Sequence, residues 1–193
     1  MATDTTTVEL VGDEVATNVA RAALFAALVG AFAYVTFPNP FSPTNLSLQV
    51  LGVFLAGVFL GPAWGTVSMV VYLVAGALGA PVFVGGTAGL GHLLGQNVGY
   101  LLSYPVAAGV VGIGVHGFRE LGDPRVVPVR RLVGAMVAGT AVIYALGVAG
   151  LMLRLGLGPV EAFLAGAAAF IPAEVLKIAA AVGVVRSDAL AVE

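Results

Sequence analysis

Tyr72–Tyr100 reads YLVAGALGAPVFVGGTAGLGHLLGQNVGY, without a charge and with eight glycines between Gly76 and Gly99. One continuous helix cannot run through it. Glycine costs roughly 1 kcal/mol relative to alanine inside a helix, and Pro81 lacks the amide that would bridge a break. Both flanks are nevertheless apolar enough for lipid, and lipid offers no hydrogen bonds to broken backbone. The stretch is therefore expected to be a membrane helix, an ordered glycine-rich loop and a second helix with a polar start. That start, Gln96, Asn97 and Tyr100, is a candidate wall of a binding site.

The rest of the chain is of the same kind. Of its 193 residues, 60% are hydrophobic and 9% charged, against about 25% charged in soluble domains. No Asp, Glu, Lys or Arg occurs from Ala22 to Phe118, which leaves room for about four spans of roughly 20 residues. An all-α integral membrane protein follows, with the lipid bilayer as its surroundings. The net charge of −2 argues against a nucleic-acid partner. The lack of cysteine excludes disulfides, thiolate metal sites and cysteine nucleophiles. Met1–Val19 is polar and acidic, without the basic start and apolar core of a secretory signal, and reads as a cytosolic lead-in.

Six spans are expected in one membrane domain, 19–188, between a polar tail, 1–18, and a short C-terminal tail, 189–193. Span 1 covers about Val19–Val35. Its small residues recur at four-residue spacing, Ala22 with Ala26 and Ala23 with Ala27 and Ala31, on faces where another helix can approach closely. That helix is either one of the chain's own or a partner's. Pro38, Pro40 and Pro43 make Phe37–Ser47 an extended loop. Span 2 (Leu48–Leu60) ends at Gly61-Pro62, and span 3 covers Ala63–Leu78. Span 4 runs from Leu93 to Val115 with a kink at Pro105, and span 5 from Leu132 to Leu153. Of two readings of Val160–Val185, one kinked helix or a short surface helix followed by span 6 from Pro172, the second is favoured, because proline is at home in a first helical turn. A cytosolic N-terminus then puts Arg21, Arg119, Arg125, Arg130, Arg131 and Arg186 inside and only Arg154 outside, as the positive-inside rule requires. The expected location is the cell membrane, with both termini cytoplasmic.

In that topology spans 2, 4 and 6 all begin at the outer face, each with polar side chains near its start: Ser47 and Gln49, then Gln96, Asn97 and Tyr100, then Glu174 and Lys177. Lys177 is the only lysine. An ammonium within a span costs on the order of 3 kcal/mol, and Glu174, three residues earlier on the same helical face, can pair with it. The pair is either a self-neutralising structural element or part of a site that offers a carboxylate, an ammonium and carboxamides to a small polar ligand. Carboxamides both donate and accept, which suits a urea or amide group; Lys177 would alternatively meet a ligand carboxylate. Phe83 is either a ligand contact or a loop anchor. His92 and His116 stand without acidic neighbours at ligand spacing, so no metal site is expected, nor any cofactor. The Glu174–Lys177 pair has no nucleophile or metal beside it, so no catalytic residue and no enzyme is expected. A nucleotide-binding loop requires Gly-Lys-Ser/Thr, and the sole lysine follows Leu176. Any use of ATP must come from a partner.

Three stretches carry a family likeness. FSPTNLSLQVLGVFLAGVFLGP (Phe41–Pro62) resembles the first outer loop and second helix of BioY-type biotin transporters, the substrate-capturing S components of energy-coupling factor (ECF) importers. YLVAGALGAPVFVGG followed by GHLLGQNVGY is similar to that family's Tyr-x3-Gly-x2-Gly-x-Pro-Val-Phe and Gly-Pro-Thr-x-Gly-Tyr signatures. FIPAEVLK (Phe170–Lys177) is similar to its Phe-Leu-Pro-Gly-Asp-Leu-Leu-Lys. The likeness covers about Ala22–Val185, with Asn45 in place of a usual proline, Gln96-Asn97 in place of Pro-Thr and Glu174 in place of aspartate. The resemblance implies a six-helix S component that binds biotin from outside, with Gln49, Asn97, Tyr100, Glu174 and Lys177 at the family's polar pocket positions. It also implies a transmembrane coupling subunit and two ATP-binding subunits as partners, docked through the small residues of span 1: Ala22, Ala23, Ala26 and Ala27. The alternatives are an importer subunit for another small vitamin or a biotin precursor, and a structural membrane protein that transports nothing.

Overall fold

Prolines and glycines set where this chain's helices stop, and the apolar faces between them set how the helices stack. The structure, a computed structural model, describes residues 12–118 and 121–187. The expectations for residues 1–11, for Arg119 and for the C-terminal tail fall outside that range. Helix α1 (Asp13–Phe32) starts earlier than expected, because Asp13 and Glu14 place negative charge at the positive end of the helix dipole. Residues 13–18 of the expected tail are thus helical. Strands β1 (Thr36–Phe37) and β2 (Leu46–Ser47) pair antiparallel, Thr36 opposite Ser47 and Phe37 opposite Leu46. The expected loop is therefore a short ribbon, cut to two residues a side by prolines that cannot donate to a ladder.

Helix α2 (Gln49–Ala77) holds one non-helical residue, Gly61, at φ 72 and ψ −172. A straight helix would separate residues 56 and 65 by about 13 Å. Here a Cβ built on Gly65 lies 3.1 Å from Ala56 O and 3.2 Å from Gly57 Cα, so the chain folds back at Gly61-Pro62 into two antiparallel limbs, 49–60 and 62–77. The Gln49 side chain accordingly meets the Tyr72 hydroxyl near the open end of the hairpin. The limb 49–60 rises only about 18 Å, short for a hydrocarbon layer of about 30 Å.

Residues 78–97 hold the glycine-rich segment, with a single 3-10 turn (Val84–Gly86) and the short α3 (Leu90–Leu93). Helix α4 (Val98–His116) starts five residues later than expected, so Gln96 and Asn97 sit on the approach to the helix rather than within it. Phe83 anchors the segment: it is fully buried, edge-on to Tyr72 and stacked on His92. Its ring occupies the space of a Gly76 side chain, since a Cβ there would lie 2.3 Å from Phe83 Cζ. Helix α5 (Val129–Leu155) ends at Gly156 in the left-handed region, so Arg154 belongs to its last turn rather than to the connection. Helix α6 (Pro159–Gly166), a 3-10 turn (Ala168–Phe170) and α7 (Ile171–Arg186) complete the chain, with Pro172 in the first turn of α7 as expected.

Among the described residues, five segments are long and apolar enough to cross a membrane, α2 counted once and 159–186 as one. Counting the two limbs of α2 separately gives the six expected crossings. Small residues bring them together at backbone distance: a Cβ on Gly112 of α4 would lie 2.4 Å from Pro62 N, and one on Gly150 of α5 would lie 2.9 Å from Gly99. Arg186 donates to Val127 O, and Arg131 Nε donates to Gly114 O at 2.7 Å. These bonds gather the C-termini of α4 and α7 and the N-terminus of α5 at one end of the bundle. The ribbon, the glycine-rich segment and the N-termini of α2, α4 and α7 lie at the other.

The small-residue stripes of α1 divide. Ala22 and Ala26 are buried inside the bundle, and Ser68 of α2 donates to Ala22 O at 2.8 Å. Ala23, Ala27 and Ala31 face outward. The chain itself thus covers half of the expected docking surface.

Candidate functional site

Helix α7 buries Glu174, Lys177, Ala181 and Val185, a spacing of three and four residues that forms one helical stripe. The stripe turns its polar upper end into the bundle. Glu174 is 4% and Lys177 6% exposed, and Lys177 Nζ donates to Glu174 Oε1 at 2.6 Å. Above this pair opens a cavity with about 50 Å³ of interior room for water-sized spheres, within about 540 Å³ of atom-free space that includes its mouth. It is the interior room that compares with the about 300–1,000 Å³ of small-molecule pockets, and it is well below them.

Asn97, the residue before α4, and Tyr100, Leu101 and Tyr104 of that helix line one wall; α5 supplies Ile143 and Tyr144; the first limb of α2 supplies Val50. Ser47 with Thr44 and Asn45 comes from the ribbon and its loop, and Val84 and His92 from the glycine-rich segment. The loop is tied down on both sides. Asn39 Nδ2 donates to Ala169 O at 3.3 Å, and Gln96 Nε2 donates to Pro43 O at 3.1 Å. Tyr34 OH donates to Pro81 O at 2.8 Å on the neighbouring segment.

Of the side chains singled out in the sequence, Ser47, Asn97, Tyr100, Glu174 and Lys177 line this one cavity, whereas Gln49 and Phe83 lie behind its wall. Tyr100 contributes its ring rather than its hydroxyl, which donates to Gly166 O at 2.6 Å and fixes the end of α6. The rings of Tyr100 and Tyr144 flank Phe170, with centroids 6.5 and 6.2 Å from it. An aromatic wall therefore faces the polar end of the cavity.

That polar end is incompletely paired. Among the described residues, three buried side-chain atoms lack a hydrogen bond of good geometry: Asn97 Oδ1, Tyr144 OH and Glu174 Oε2. The Tyr144 hydroxyl and the Glu174 carboxylate nevertheless face each other as a loose hydrogen-bonding pair, so their pairing is incomplete rather than absent. Unpaired buried polar atoms are uncommon and each needs an explanation. Two of the three are acceptors only, and Lys177 has three N–H donors, of which Glu174 takes one. The cavity thus asks for N–H donors beside a carbonyl acceptor. At the mouth, His92 Nε2 lies 3.1 Å from Thr87 Oγ1, and partial burial lowers its pKa below the usual imidazole value.

Sequence reading missed Tyr104 and Tyr144. Tyr104 stands four residues after Tyr100, on the same helical face, and that spacing was the available signal. Tyr144 looks like any packing aromatic in an apolar run, and nothing in its spacing marked it.

A bundle of six crossing helices with its polar cavity at the end where three of them begin defines a class of small-molecule-binding membrane protein. Its fold matches the crystal structure of the S-component for biotin from an ECF-type ABC transporter, with a TM-score of 0.81 over 92% of this chain and 93% of that one, at 21% identity. The profile of the BioY family matches residues 3–192. The probable biotin transporter BioY of Pyrococcus horikoshii is 37% identical over 167 residues, 86% of this chain and 93% of that protein. The biotin transporter BioY of Rhodobacter capsulatus is 36% identical over 172 residues, 83% and 87% of the two chains. The chain belongs to the BioY family.

Proposed function

We propose that this protein is the biotin-binding S component of an ECF importer. The observation that carries the reading is the gathering of incompletely paired polar atoms in one cavity: Asn97 Oδ1, without a partner, beside the loosely paired Tyr144 hydroxyl and Glu174 Oε2. A cyclic urea offers two N–H donors, which suit Asn97 Oδ1 and Glu174 Oε2, and a carbonyl that suits the Lys177 ammonium or the Tyr144 hydroxyl. The names of its relatives, biotin transporters, support the same ligand.

Charge supports the sidedness. Arg125, Arg130, Arg131 and Arg186 lie at the end away from the cavity, in the connection, the first turn of α5 and the last turn of α7. The positive-inside rule makes that end cytosolic, so the cavity opens outward, in the cell membrane, with both termini cytoplasmic. The chain has no Gly-Lys-Ser/Thr loop, so the energy for release inward comes from partners: a transmembrane coupling subunit and two ATP-binding subunits. The exposed Ala23–Ala27–Ala31 face of α1 is the docking surface left for the coupling subunit.

Titration of the purified full-length protein with biotin tests the reading. Saturable binding at one site is expected. No binding up to about 1 mM, roughly −4 kcal/mol, contradicts it.

A further inference from the structure

Behind the cavity wall runs a chain of buried polar groups that ligand contact does not explain. Gln49 is 0% exposed and does not line the cavity, whereas Ser47, two residues earlier, does. The Ser47 hydroxyl donates to Gln49 Oε1 at 3.1 Å, and Gln49 Nε2 donates to the Tyr72 hydroxyl. Tyr72 is held in turn by rings: Phe83 edge-on at 5.6 Å and Tyr104 at 6.1 Å between centroids. Tyr72 and Phe83 are both buried, so this end of the chain is fixed by packing. The other end is held by fewer contacts. Ser47 belongs to a strand two residues long that follows the proline-rich loop and pairs with Thr36–Phe37, and the loop itself is tied by single bonds from Asn39 and Gln96.

We propose that Gln49 is a positioning residue: it does not touch the ligand, but holds the Ser47 hydroxyl, and with it the β1–β2 ribbon, against the cavity, with Tyr72 as its fixed point. An amide buried among apolar side chains is costly unless its polar atoms are bonded, and here each of its two polar atoms reaches one partner. One partner belongs to the rigid hairpin and the other to the ribbon. The competing role is a plain stitch between the two limbs of α2, since residues 49 and 72 face each other across the hairpin. A stitch affects folding but not the ligand. The affinity part of the proposal rests on the biotin reading; the ribbon part does not.

The test uses the full-length protein in detergent, as parent, Gln49→Met, Ser47→Ala and the double variant. Biotin affinity is measured on each, and amide hydrogen exchange over 36–47 is followed without ligand. Gln49→Met keeps the length of the side chain and removes its hydrogen bonds. Each single change is expected to weaken biotin about tenfold, and the double variant to bind no more weakly than either single one, because both cut the same relay. Exchange over 36–47 is expected to accelerate in Gln49→Met while exchange over 98–116 stays as in the parent. Losses that add in the double variant, or an unchanged affinity with a lowered melting temperature, overturn the proposal. Tyr72→Phe removes one hydroxyl and keeps the ring; it is expected to repeat the pattern, which keeps the test open if Gln49→Met does not fold. A parent that does not bind biotin refutes the functional reading instead. The exchange arm then decides alone: faster ribbon exchange upholds the relay, and unchanged exchange overturns it.

Discussion

A buried hydroxyl short of partners costs about 1–3 kcal/mol, and the Tyr144 hydroxyl, at the wall of the cavity, has only the Glu174 carboxylate loosely in reach. A fold under no other pressure would have phenylalanine there. Tyr144→Phe should therefore leave the ligand-free melting temperature unchanged or raised, and weaken biotin about three- to tenfold, the worth of one hydrogen bond. Thermal melts and binding titrations on the same preparation check both halves. A variant that melts lower and binds as before would make the hydroxyl structural. The Glu174–Lys177 pair offers no equally clean test, although Glu174 Oε2 is also short of partners. Removing either partner strands the other charge in the interior, so loss of binding could not be told from loss of fold.

The hairpin of α2 puts Val50 at the cavity, brings Gln49 to Tyr72 and packs its tip on Gly112 of α4. It turns on Gly61, in a backbone region essentially confined to glycine, and a Cβ there would also lie 2.7 Å from Leu121 Cδ2. Gly61→Ala should cost about 1–3 kcal/mol, read as a lowered denaturation midpoint in detergent. Gly91→Ala is the control, because a Cβ at that helical position meets nothing within 4 Å; it should be neutral or slightly stabilising. Equal effects at the two positions would mean that the hairpin geometry contributes nothing special to stability. The sequence already showed this turn, since Gly61-Pro62 is punctuation inside an apolar run. It did not show the start of α4. Leu93-Leu94 continues the apolar pattern across a short helix that stops, and the chain needs Gln96-Asn97 in a turn to reach Pro43 and the cavity.

Taken together, the elements give one end of the bundle polar side chains and open loops, and the other end arginines. That division was legible because lipid forces charge and broken backbone to the ends or into protein. The run without charge from Ala22 to Phe118 therefore counted spans, and the arginines ordered them. The depth of each side chain behind the wall was not legible. Gln49 and Ser47 look alike as polar residues at a helix start, yet the turn of β2 into α2 sends one into the hairpin and the other to the cavity. Likewise the spacing of Ala22 with Ala26 and of Ala23 with Ala27 gave two equivalent stripes, and only packing against Ser68 told the inward stripe from the outward one.

A structure of the full-length protein with biotin bound is the most direct measurement of all. The urea nitrogens should lie about 2.7–3.2 Å from Asn97 Oδ1 and Glu174 Oε2, with the urea oxygen at Lys177 Nζ or Tyr144 OH. Biotin seated elsewhere, or seated in the cavity with all three of those atoms still unpartnered, would contradict the account.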